Sequence, residues 1–414
     1  MARVKPLLCL TLLLLLMSSS YSFAAMGLSN IEMLGKHLFQ DRNLSLHKNQ
    51  SCSSCHHPMA GFADPANTAD PYDSVVSTGS DGVSKGGRNA PTAAYAGFSP
   101  VLGWDDTEGL YVGGLFWDGR ATGHTRLADP LAEQAQGPFL NPLEMAMPNK
   151  AAVVNVVKKS CYASLFKQVF GTNSLNNVDT AYDNIAKAIA AYERSKDLSR
   201  FSSKFDQFWM ECKNRGIDVS LIGLPLPPGI PQGILNAQQL EGLALFNTKG
   251  NCSACHLTTG EPGGIPPMLT DFTYDNVGIP KNPLLLDNPT DYGLGGFLKK
   301  DYLSGSPLFG DANYADQNGK HKVPSLRNVA ITAPYGHNGY FPTLKDIVDF
   351  YNTRDVAGWP DAEAPQNMNV DELGNLGLTE SEVDAIVAFM LTLTDGGGCC
   401  GGGGGGMGGG GCGM

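Results

Sequence analysis

Cys52-Ser53-Ser54-Cys55-His56 recurs further along the chain as Cys252-Ser253-Ala254-Cys255-His256. Two thiols three positions apart can each add to a vinyl group of one haem, and the adjoining imidazole then reaches the iron from one face. A disulfide or a zinc site could use the same cysteines, but neither calls for a His directly after the second Cys, and both motifs carry one. The chain is therefore read as holding two covalent c-type haems, one on Cys52 and Cys55 with His56 as iron ligand, the other on Cys252 and Cys255 with His256.

The organisation follows outward from these motifs. Ile31, Leu34, Gly35 and Leu38 recur at helical spacing just ahead of the first, and Leu240, Leu243, Ala244 and Phe246 just ahead of the second. A further helix from about 179 to 195 carries Ile185, Ala188, Ile189 and Tyr192 on one face. Alternating apolar stretches are scarce, so the expected fold is all-α, with two cytochrome c-like haem domains and long loops. Residues 224–233 are too rich in proline for a helix or a central strand and read as the linker. The expected division is a peroxidatic haem domain over 26–223 and an electron-transfer haem domain over 234–395.

The ends of the chain differ in character. Residues 1–25 place Arg3 and Lys5 before an apolar run from Leu7 to Met17 and a small-residue end, the layout of a cleaved secretory signal that is too short to span a bilayer. A periplasmic or cell-surface location follows, with no transmembrane segment after cleavage. Loss of Arg3 and Lys5 takes the formal net charge from -11 to -13, which argues against nucleic acid and for basic protein partners. Residues 396–414 are nearly pure glycine with Cys399, Cys400 and Cys412, a composition that cannot bury enough surface to fold. Cys161 and Cys212 are the remaining cysteines available for a disulfide.

Several blocks then run in one order along the chain: Leu34-Gly35-Lys36-His37-Leu38-Phe39, Arg88-Asn89-Ala90-Pro91-Thr92, Phe116-Trp117-Asp118-Gly119-Arg120-Ala121, Asn141-Pro142-Leu143-Glu144-Met145, Val323-Pro324-Ser325-Leu326-Arg327-Asn328 and Thr332-Ala333-Pro334-Tyr335. Together with the haem motifs they resemble the bacterial dihaem cytochrome c peroxidases and their MauG-type relatives. The resemblance implies a peroxide-reactive haem in the N-terminal half, an electron-transfer haem in the C-terminal half, and a calcium ion between them. It assigns Glu144 as the acid/base carboxylate and Gln134 as the amide in the same pocket. Trp117 falls where the family has a tryptophan between the haems, and Asn89 with the carbonyls of Thr332 and Pro334 falls on the calcium site. Cleavage of peroxide on iron needs a group that takes a proton from one oxygen and returns it to the other, the chemistry a carboxylate supplies. Hard oxygen ligands suit calcium.

Two departures from the peroxidase pattern carry more information than the matches. Ordinary dihaem peroxidases place a distal His between the first motif and the Asn-Ala-Pro-Thr block, and residues 58–88 contain none. His57 adjoins the proximal ligand and cannot reach the opposite face, so the first haem is expected to be open at rest. At the second haem the peroxidases use a Met at the position that here is Tyr351. A phenolate stabilises the higher oxidation states of iron, whereas a thioether raises the potential. Met268, Met368 and Met390 are the rival ligands. The stretch from Phe350 to Val356 also resembles MbnH-type members of the MauG branch.

The expected activity is thus an oxidoreductase that reacts with hydrogen peroxide at the N-terminal haem and oxidises a residue of a partner protein through the C-terminal haem. The alternatives are a cytochrome c peroxidase fed by a small cytochrome or copper protein, and a dihaem electron carrier without catalysis.

Overall fold

The computed structural model describes residues 27–396, apart from 306 and 310–312. The signal segment and nearly all of the glycine-rich tail lie outside the described residues. Helix α1 (Asn30–Gln40) starts at a capping box in which Ser29 and Glu32 satisfy each other's backbone N–H groups. Its apolar stripe of Leu34, Leu38 and Phe39 is fully buried. The short α2 (Cys52–Cys55) is the first haem motif itself, followed by α3 (Pro65–Ala69). Four helices complete this half: α4 (Pro130–Leu140), α5 (Lys150–Lys159), α6 (Ala163–Phe170) and α7 (Val178–Glu193). Helix α1 packs across α7 at Gly35, where a Cβ would overlap the carbonyl oxygen of Ala188.

The second half repeats the device. Helices α8 (Lys204–Asn214), α9 (Ala237–Asn247), α10 (Gly293–Tyr302), α11 (Leu344–Thr353) and α12 (Glu380–Met390) follow in order. Helix α9 packs across α12 at Gly242, where a Cβ would overlap the carbonyl oxygen of Ala385. In both halves the glycine sits on the helix that leads into a haem motif, so the two backbones touch and fix where the motif emerges.

Two apolar cores result. One gathers Leu34, Phe39, Phe139, Val153, Phe166 and Ile189, the other Phe208, Leu243, Phe246, Phe341, Phe350 and Phe389. Phe205, Phe208 and Trp209 of α8 belong to the second core. The packing therefore changes from one core to the other between Leu198 and Phe205, ahead of the Pro-rich stretch where the sequence breaks. Residues 224–233 contain neither helix nor strand, and Ile230 anchors them on the second core.

The expectation of an all-α fold needs amending, because two small antiparallel sheets are present. Strand β1 (Gly103–Asp105) pairs with β2 (Leu110–Val112), Trp104 opposite Tyr111. Strand β3 (Tyr274–Asp275) pairs with β4 (His321–Lys322), Tyr274 opposite Lys322. These stretches are two or three residues long, too short to show the alternation by which a strand is recognised. Leu102, Tyr111, Tyr274, Leu294 and Leu298 form a third cluster that joins the two sheets.

Candidate haem centres and peroxide pocket

The two motifs are built alike. The His56 Nδ1 lies 3.0 Å from the Phe62 carbonyl oxygen, and the His256 Nδ1 lies 3.0 Å from that of Leu269. Each ring thus donates Nδ1–H to a carbonyl and leaves the Nε2 lone pair for a metal. Burial pushes both imidazoles below their ordinary range and keeps them neutral. Both acceptors sit in the left-handed region, Phe62 at φ 63° and Leu269 at φ 56°, so the backbone is bent to aim each carbonyl. The four motif cysteines are half-buried, and loss of solvent around the thiols pushes Cys55 and Cys252 up to about 12.

A cavity of about 210 Å³ opens beside Cys252, Cys255 and His256. Phe246, Leu326, Val329, Leu344 and Ile386 give it the apolar walls that a macrocycle needs. Tyr351 on α11 and Met390 on α12 both line it, whereas Met268 and Met368 do not. Burial, with the nearby thiols, raises the Tyr351 phenol well above its ordinary value. Asn89, Thr332 and Pro334 line the same cavity. Asn89 uses its backbone N–H on the His337 carbonyl at 2.9 Å and its side-chain amide on the Val75 carbonyl at 3.0 Å. The side-chain oxygen of Asn89 is left as a candidate calcium ligand.

A separate cavity of about 320 Å³ is lined by Phe116, Arg120, Gln136, Pro138, Asn141 and Glu144, among others. Burial raises the Glu144 carboxyl above its ordinary range, against the opposing pull of Arg120 and of Asn141, whose amide donates to Glu144 at 2.9 Å. Gln134 does not line this cavity, although its neighbour Glu133 does. Glu133 is committed to the loop ahead of α4, accepting from the backbone N–H groups of Gly123 and Thr125 at 2.8 Å each. His57 accepts from the backbone N–H of Met59 at 3.2 Å and so caps the turn behind the first motif.

One loop connects the two cavities. Backbone pairing of Leu115 with Ala121 closes it, with Gly119 at φ 74°. Phe116 lines the Glu144 cavity, and the next residue, Trp117, lines the cavity of the second motif. The indole N–H of Trp117 donates to the Asn89 carbonyl at 2.9 Å. Arg120 stacks on the Phe116 ring at 3.6 Å.

Sequence reasoning missed Asn141 and Arg120 as the groups that tune Glu144: Arg120 lies far off in the chain, and the short spacing of Asn141 and Glu144 does not say that the amide turns to the carboxylate. It also missed Glu193 at the end of α7, fully buried, with one oxygen unpartnered and its carboxyl pushed up to about 8. Cys212 is a buried free thiol, so it does not pair with Cys161.

Comparison with known proteins agrees with this construction. A family model described as di-haem cytochrome c peroxidase matches residues 29–214. The methylamine utilization protein MauG of Paracoccus denitrificans is 36% identical over 378 residues, covering 87% of this chain and 88% of that protein. The chain belongs to the di-haem cytochrome c peroxidase and MauG family. Cytochrome c551 peroxidase of Nitrosomonas europaea is 30% identical over 361 residues, covering 87% of this chain and 79% of that one. The crystal structure of the diheme peroxidase BthA from Burkholderia thailandensis superposes with a TM-score of 0.71 at 30% identity, over 88% of this chain and 86% of that one. Membership makes the protein an oxidoreductase acting on peroxide and implies two c-type haems, for which the twin Cys-x-x-Cys-His sites and their apolar surroundings are suited. Among the described residues no helix is long and apolar enough to cross a membrane.

Proposed function

We propose that this member of the family uses hydrogen peroxide to oxidise a residue of a partner protein, as a MauG-like enzyme, rather than to draw electrons from a small donor. When bound, the haems supply iron for peroxide and store for its oxidising equivalents. Glu144 lines the cavity beside Arg120 and Asn141, and its charge is felt at Cys52 and Cys55, which supports it as the group that would take the proton from the near oxygen of peroxide and return it to the departing one. Its elevated pKa suits it to hold a proton between these two acts. Gln134, on the same helix as the residues that wall this pocket, is assigned an orienting role by family resemblance alone. Phe116 and Trp117 hand over from one cavity to the other, which fits Trp117 as the electron relay. Asn89, Thr332 and Pro334 are proposed to hold calcium where they meet the second cavity.

The observation that carries the reading is that Tyr351 lines the cavity of His256 at the place where a peroxidase has Met. A phenolate there would lower the potential of the second haem and let it share oxidising equivalents. The peroxidase reading keeps one supporting observation, since Met390 lines the same cavity. The test is Tyr351→Met, with both haem potentials measured by spectroelectrochemistry and peroxide consumption followed with and without a small reduced donor. The MauG-like reading expects wild-type protein to react without prior reduction, and the variant to show a raised potential at the second haem and a gain in donor-dependent turnover. Unchanged potentials and spectra would make Tyr351 a packing residue and put Met390 in its place.

A further inference from the structure

The Trp117 loop is gripped at two adjoining points by one dipeptide, Arg88-Asn89. The Asn89 carbonyl takes the indole N–H of Trp117 at 2.9 Å, and Arg88 Nη1 lies 2.7 Å from Oδ2 of Asp118, the next residue along. Arg88 is itself anchored from the other side, its Nε and Nη2 donating to the two oxygens of Asp291 at 2.6 and 2.7 Å. A guanidinium can serve both carboxylates because its nitrogens form a rigid planar fork. Arg120 completes the set from within the loop, its Nη1 2.9 and 3.0 Å from the two Asp118 oxygens. The main chain adds a further hold, since the Lys322 N–H donates to the Trp117 carbonyl at 2.9 Å.

Asp118 is 8% exposed, and a carboxylate so placed is unfavourable unless it is paired. Burial works against its charge, yet Arg88 and Arg120 hold the carboxyl below its ordinary range, so it is ionised at neutral pH. Closure of the loop does not call for this charge. Pairing of Leu115 with Ala121 already closes the turn, and Gly119 at φ 74° leaves no room for a side chain against the Tyr274 hydroxyl. What the buried anion adds is a fixed negative charge on the residue next to the indole. An indole that gives up one electron becomes a cation, and its N–H proton can leave only to a base. The acceptor here is the backbone carbonyl of Asn89, which is no base, so the proton stays and the ring carries positive charge. In a buried, weakly screened place such a charge is strongly stabilised by a neighbour of opposite sign.

We propose that the ion pair of Arg88 and Asp118 is the positioning element of the Trp117 relay: it fixes the indole against Asn89, and the Asp118 carboxylate offsets the positive charge that the ring carries in transit. This rests on the reading of Trp117 as the relay. The step moves one electron from the indole toward the first haem once peroxide has oxidised it, and returns one electron to the indole from the second haem. No bond forms or breaks, and no proton leaves. The charges of Arg120, Asp118, Arg88 and Asp291 balance, so neutralising Asp118 leaves two guanidiniums facing one carboxylate and makes the ring harder to oxidise.

The test mixes the full two-haem protein with one equivalent of hydrogen peroxide in a stopped-flow cell and follows the absorbance phases of the two haems. Asp118→Asn should slow the second-haem phase at least about tenfold relative to the first-haem phase. In a Trp117→Phe background, slow already, Asp118→Asn should change nothing further, because the pair acts through the indole. Hydrogen exchange read by mass spectrometry is free of turnover, and the amides of residues 115–121 should exchange faster in Asp118→Asn. Unchanged exchange there, an unslowed second-haem phase, or an equal slowing with and without Trp117 would overturn the proposal and make the pair an ordinary structural bridge. An unslowed phase in Trp117→Phe would overturn the relay reading, and the proposal with it. If Asp118→Asn does not retain both haems, Arg88→Lys takes its place in the same cycle with Trp117→Phe, since a lysine keeps the cation but cannot grip two carboxylates through a planar fork.

Discussion

Glu144 shows how one residue acquires its chemistry from its surroundings. Its carboxylate is buried beside a guanidinium and one amide, and burial dominates, so it stays protonated to higher pH than a free glutamate. As the base toward peroxide it must be ionised, and activity should rise as pH climbs through its raised pKa. The acid limb of kcat/KM is thus expected above the ordinary 4.5 of this group. Glu144→Gln keeps the shape and removes the titration, so the peroxide reaction should slow about a hundredfold or more, the limb should vanish, and both haems should stay attached. Stopped-flow rates across pH decide it: an unchanged rate places Glu144 away from the reacting oxygen. Asn141→Ala removes the 2.9 Å hydrogen bond to the ionised form, and it should move the same limb further up in pH.

At the scale of elements, the crossing of helices at Gly35 and Gly242 organises both halves. Adding one methyl at either crossing pushes a Cβ into a carbonyl oxygen of the partner helix, Ala188 or Ala385, and neither backbone can yield without moving a haem motif. Gly35→Ala and Gly242→Ala should each destabilise by about 1–3 kcal/mol or more. Gly103→Ala, where a Cβ meets nothing within 4 Å, should be nearly neutral. Thermal melts of the three variants check this, and equal melting temperatures would show that the crossings are loose. These helices were legible in the sequence because their apolar spacing is regular and each runs into a haem motif. The two sheets were not, since two or three residues carry no period. The change of core ahead of α8 was hidden for another reason: Phe205, Phe208 and Trp209 show that the helix has a buried face but not which core that face meets. In the candidate site the covalent attachment residues stood out through fixed spacing. The relations that tune it, Arg120 on Phe116 and Asn141 on Glu144, join residues close in sequence, but their spacing does not say which side chains turn toward one another.

For the whole molecule the decisive question is what holds the two cores in one arrangement, since any relay through Trp117 depends on their separation. Arg327 is the most deeply buried cation of this junction, 1% exposed. Its Nη2 lies 2.9 Å from Asp206 at the start of α8, and it also donates to the Pro267 carbonyl. Its guanidinium stacks 4.7 Å from the ring of Tyr95 and 4.5 Å from that of Phe201. Tyr95 belongs to the first core, so one side chain clamps residues of both halves. The Tyr95 hydroxyl in turn donates to Asp395 at 2.8 Å, and Asp395 also accepts from the backbone N–H of Ser202 at 3.0 Å. Removing one member of a buried pair costs about 3–5 kcal/mol because the other charge is left uncompensated. Arg327→Met should therefore destabilise by that order. Arg327→Met combined with Asp206→Asn should recover part of the loss, since no orphaned carboxylate remains. Arg327→Lys should recover little, because a lysine can neither bind Asp206 through two nitrogens nor stack flat on two rings. Denaturant titrations read by haem absorbance test the set, and the single Arg327→Met variant should also separate the unfolding of the two halves into two transitions. A double variant no more stable than Arg327→Met would mean that stacking on Tyr95 and Phe201, rather than the charge pair with Asp206, is what joins the halves.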